Sequence, residues 1–196
     1  MPLRHPEQLT PRDIAVLTSV QDGTLAVLLL ALLAVWPRVH PAALGFAQRI
    51  APQVGLAFGA ALWLLSVLIA NAQASVVGTR PQALITAAAT HRDFEGLFLE
   101  LVFGVGVVAV VEELLFRGVL FALLRQRLRF AYAALISSAL FALPHEASAW
   151  LPVFVLGIGL AVLYEQRHSL WTNALAHGTI NAISFLLVFL VPGAAS

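Results

Sequence analysis

The stretch Val111-Glu112-Glu113-Leu114-Leu115-Phe116-Arg117-Gly118 decides how this chain is read. It sets two carboxylates and one guanidinium inside a run that is otherwise apolar, from 101 to 111 before it and from 119 to 124 after it. Ionisable groups in such a run cost roughly 2.5–3.5 kcal/mol each to insert into a membrane, so they mark function by default. On a helix, Glu113 and Arg117 share one face at i,i+4 spacing and can pair. Glu112 is turned about 100° away from Glu113, which makes it the carboxylate less easily neutralised by that arginine. A lone Glu–Arg pair reads as a buried packing device; the second, adjacent glutamate argues for chemistry.

Composition places this stretch in a bilayer. Of 196 residues, 60% are hydrophobic and 11% charged, against about a quarter charged in soluble domains. The fold class expected is all-α: a polytopic transmembrane helical bundle of about six membrane helices, each needing roughly 20 apolar residues. The formal charge of +1 argues against nucleic acid as a partner. With no cysteine, disulfides, thiolate metal ligands and a cysteine nucleophile are excluded.

Along the chain, a first helix is expected over 13–36, interrupted near Gln21-Asp22-Gly23 and stopped by Pro37. Its apolar run reads as a retained segment, not a cleaved signal. Residues 50–79 carry no charge and predict a spanning helix ending near 77. The alanine-rich 82–90 suits a short surface helix, and a third long helix is expected over 95–124. Arg125, Arg127 and Arg129 mark a cytoplasmic connection by the positive-inside bias. A fourth helix starts near 130 and meets Pro144, where a bend or break is expected. A fifth runs over 150–164, with Gly157-x-x-x-Ala161 permitting close approach to a neighbour. Residues 165–168 read as a turn before a last helix over 170–190.

Further polar groups interrupt the apolar helices. His145 follows Pro144, and His177 and Asn181 stand one turn apart on one face. At about 1.5 Å per residue, Glu112, His145 and His177 all fall at middle depth. Each has a plain explanation as interhelical hydrogen bonding. Together they are two carboxylates, two histidines and an amide that must all find partners away from water.

Glu112-Glu113-x-x-x-Arg117, Phe141-x-x-x-His145 and His177-x-x-x-Asn181 resemble, in order, the three motifs of the CPBP (Abi) family. These are the type II CAAX prenyl endopeptidases and their bacterial bacteriocin-processing or self-immunity relatives. Ser169-Leu170-Trp171 is similar to the segment that precedes the third motif. The resemblance divides the chain into N-terminal membrane helices and connectors, 1–94, and a catalytic helical core, 95–192. It implies an intramembrane endopeptidase, multi-pass in a bacterial cell membrane. The implied substrate is a peptide or protein, lipid-modified or membrane-embedded. Glu112 with His145 would activate water, His177 and Asn181 would bind the oxyanion, and Glu113 with Arg117 would support them. No cofactor is expected; the alternative is zinc held by two histidines and a glutamate, although His-Glu-x-x-His is lacking. A proton-coupled transporter and a non-catalytic peptide binder are the other readings of the same groups.

Overall fold

The charge-free run after Arg49 becomes helix α1, Pro52–Val77. Pro52 opens it, where a missing N–H costs nothing. Gly78 closes it in the left-handed conformation (φ 63°), its N–H donating to Ala74 O at 2.9 Å. A computed structural model describes residues 44–78 and 101–190, together with the single positions 16, 20, 23, 24, 27, 94, 97 and 98. The expected helix over 13–36 and the surface helix over 82–90 lie outside the described residues, those single positions aside.

Helix α2 is continuous from 101 to 125 but changes winding. Leu101–Val108 is π-helical, Ala109–Glu113 is α, Leu114–Phe121 is π again, and Ala122–Arg125 returns to α. The two glutamates thus sit in one short α turn between two wide ones. Helix α3, Phe130–Ala142, stops short of Pro144 as expected. The 3-10 turn Ala147–Ala149 then leads into α4, Trp150–Arg167. Helix α5, Leu170–Leu190, has the expected bounds. Ser169 caps it by accepting the Thr172 N–H at 3.3 Å, and Thr172 Oγ1 donates to the same hydroxyl at 3.0 Å.

One expectation is corrected. Residues 165–168 are not a turn, since α4 continues to Arg167 and only His168 leaves it, at φ 50°. The extra turn is held by Glu165, whose carboxylate takes three hydrogen bonds from Arg125, the shortest 2.7 Å.

This is an all-α bundle of an integral membrane protein. Among the described residues, α1, α5 and the segment Ala147–Arg167 are each long and apolar enough to cross a bilayer. Two glycines set how closely the helices approach. At Gly59 of α1, a Cβ would collide with the Ala176 carbonyl of α5. At Gly157 of α4, a Cβ would lie 2.8 Å from Ser138 Cβ of α3. Apolar packing fills the remaining seams, with Leu62, Leu160, Leu163, Ala176 and Ile180 joining α1, α4 and α5. Phe116, Phe141, Ala142 and Val153 join α2, α3 and α4. The polar cluster lies between these two apolar layers.

Candidate active site

Buried polar groups are costly unless satisfied, and Glu113 and Arg117, both with no exposed surface, are satisfied by a specific network. Arg117 Nη1 donates to Glu113 Oε1 at 2.9 Å, the pair expected from the spacing. Its Nη2 donates to the Gly157 carbonyl at 3.2 Å. The guanidinium carbon stands 4.5 Å above the Phe141 ring. The close approach at Gly157 is therefore what brings an α4 carbonyl within reach of the arginine.

Glu113 does more than pair. Its Oε1 also faces His177 Nδ1 at 3.0 Å, and its Oε2 accepts from Asn173 Nδ2 at 2.9 Å. Three donors from two helices converge on one carboxylate. A carboxylate ion-paired with Arg117 is acceptor-only, so His177 Nδ1 is the donor in that contact. The other ring nitrogen, Nε2, then faces Glu112 Oε2 at 3.6 Å. Glu112 itself is 5% exposed, buried but less completely than Glu113.

His145 reaches the cluster through an aromatic ring. Its Nδ1 donates to Phe141 O at 3.1 Å, which leaves Nε2 as the acceptor of a neutral ring. Its backbone carbonyl accepts from Trp150 Nε1 at 2.8 Å, fixing the connection after Pro144. The Phe141 ring lies 5.3 Å from the His145 ring and 5.7 Å from that of His177. Asn181, expected beside His177 at the oxyanion, gives one amide hydrogen to the Gly104 carbonyl at 2.8 Å. It thereby ties α5 to the first π-helical stretch of α2.

Two members were not singled out from sequence as site groups. Asn173 is fully buried and donates to both Glu113 Oε2 and the Leu160 carbonyl, the latter at 2.8 Å. Its signal was available, since it stands four residues before His177 on the same helical face. Phe141 was visible only as the first letter of a motif; the structure makes it the surface shared by Arg117, His145 and His177.

For zinc, the donor set does not fit as arranged. Among the described residues, no three His, Cys, Asp or Glu side chains are grouped to hold a metal ion. His177 and His145 each bond through Nδ1, to Glu113 and to the Phe141 carbonyl.

Comparison with known proteins bears on the family. Residues 94–183 match the family model described as type II CAAX prenyl endopeptidase Rce1-like, which bears out the resemblance read from the three motifs. "UPF0177 protein YxdF" of Lactococcus lactis subsp. lactis (strain IL1403) is 35% identical over 77 residues, 38% of this chain and 42% of that protein. "Putative membrane peptidase YdiL" of Bacillus subtilis (strain 168) is 29% identical over 79 residues, 40% of this chain and 32% of that protein. The chain thus spans less than half the length of the curated relatives it matches. No solved structure matches it.

Proposed function

Taking the match over residues 94–183 as premise, we propose that this protein is an intramembrane endopeptidase of a bacterial cell membrane. It hydrolyses a peptide bond in a membrane-embedded or lipid-modified substrate with water activated by Glu112. The observation that carries this reading is the unequal standing of the two glutamates. Glu113 has no exposed surface and both its oxygens are claimed, so it cannot take a proton from water. Glu112 is the carboxylate set against the outward nitrogen of His177.

In the proposed reaction, Glu112 removes a proton from water as the water oxygen bonds to the substrate carbonyl carbon. His145 Nε2, an acceptor in the neutral ring, holds the second water hydrogen. The carbonyl π pair becomes an oxyanion, which accepts hydrogen bonds from His177 Nε2–H and the remaining Asn181 amide hydrogen. For His177 to donate there while donating to Glu113, its ring carries a proton on both nitrogens, and Glu112 and Glu113 together offset its charge and that of Arg117. Collapse of the oxyanion breaks the C–N bond, and Glu112 returns its proton to the leaving amine. The released ends are a carboxylic acid and an amine.

The test is turnover of a library of transmembrane and lipidated peptides by purified protein in nanodiscs, with Glu112→Gln alongside. Cleavage by the wild type and none by Glu112→Gln supports the reading. Cleavage retained by Glu112→Gln sinks it.

A further inference from the structure

Asn173 lies outside the three sequence motifs, yet it is buried at 0% exposure in the centre of the polar cluster. Its amide orientation is fixed by chemistry, because both close contacts, Glu113 Oε2 and Leu160 O, can only accept. Both amide hydrogens are therefore spent, one on the α2 carboxylate and one on an α4 carbonyl. Among the described residues its buried Oδ1 meets no hydrogen-bond donor. The two donated bonds fix the rotation of the Glu113 carboxyl plane against α4. With Oε2 pinned by Asn173 and Oε1 by Arg117, Oε1 is the oxygen presented to His177 Nδ1.

We propose that Asn173 is a positioning residue: by anchoring Glu113 Oε2 to α4 it locks the His177 ring with a proton on Nδ1 held by Glu113 and with Nε2 turned to Glu112. The catalytic consequence rests on the peptidase reading above, but the lock itself does not. Removing Asn173 frees the carboxylate to rotate about its terminal torsion, which is broad and two-fold. The proton on Nδ1 then loses its fixed acceptor.

The experiment is nitrogen-15 histidine NMR of the full chain in nanodiscs, for wild type, Asn173→Ala and Asn173→Ser, with peptide turnover in parallel. The His177 signals are assigned by their loss in His177→Gln. Wild type is expected to show a downfield, slowly exchanging Nδ1 proton on His177. Both variants are expected to show that proton shifted upfield and exchanging faster, with kcat lowered and KM little changed. A wild-type His177 protonated on Nε2 alone overturns the proposal even if neither variant folds. Variant signals identical to wild type overturn it as well. If the signals move as expected but no protein cleaves peptide, the lock stands and the peptidase reading falls.

Discussion

Arg117 places its guanidinium carbon 4.5 Å above the face of Phe141 while two of its nitrogens bond at the ring's side, to Glu113 and to Gly157 O. The planar fork and the π contact use the same flat group in two directions at once. Lysine, a point charge on a flexible stem, cannot do both. Arg117→Lys should therefore lower stability by about 1–3 kcal/mol, read as a fall in melting temperature in detergent. A variant as stable as wild type would show that charge alone holds this position.

The adjacent glutamates should separate cleanly. Glu113→Gln or Arg117→Ala leaves a buried charge uncompensated, which costs roughly 3–5 kcal/mol in comparable pairs. Glu112→Gln removes the less buried carboxylate and should leave the melting temperature nearly unchanged while abolishing turnover. A stable, inactive Glu113→Gln beside an active, destabilised Glu112→Gln would exchange the roles.

An ion pair elsewhere supplies a control. Arg125 and Glu165 bond at 2.7 Å, but each side chain keeps 32% of its surface exposed. Solvent screening limits such pairs to about 0–1 kcal/mol. Arg125→Ala should shift the melting temperature far less than Arg117→Ala, and less still in high salt. Equal shifts would mean the two pairs sit in similar dielectric.

Helix approach gives another expectation. Gly157→Ala drives a methyl to 2.8 Å from Ser138 Cβ, where the nearest atoms belong to the α3 stem. Overpacking of this kind costs about 1–3 kcal/mol, and here it also pushes the Gly157 carbonyl away from Arg117. Turnover should fall together with stability. A tolerated Gly157→Val would show that α3 and α4 part readily.

Orientation is accessible because the chain has no cysteine. A single cysteine at 127 should react with a membrane-impermeant reagent from the cytoplasmic face. Labelling only from outside would invert the topology drawn from the arginine cluster.

Much of this was legible in residue patterns, for physical reasons. The bounds of α1, α3 and α5 follow from Pro52, Gly78, Pro144 and the Ser169 cap, which act locally and carry their own signature. The pairing of Glu113 with Arg117 follows from helical spacing alone. Three things were not legible. The π-helical stretches of α2 alter which carbonyl each N–H chooses, without changing which residues are apolar. The last turn of α4 depends on Arg125, forty positions away along the chain. Glu113 acquires His177 and Asn173 only when α5 docks, so sequence showed it as half of a pair when it is the centre of four groups.

The contact at Gly59 bears on how anything reaches this centre. There the α1 helix meets the Ala176 carbonyl with no room for even a methyl group. An extended polypeptide needs about 4.7 Å beside a neighbouring backbone, so no strand can thread the α1–α5 seam without prising the two helices apart. The connection after α3 is built differently: His145 is only partly buried, and the chain is irregular from 143 to 149 apart from one 3-10 turn. At Gly59, then, α1 and α5 form a closed wall, and whatever reaches the polar cluster comes by another route.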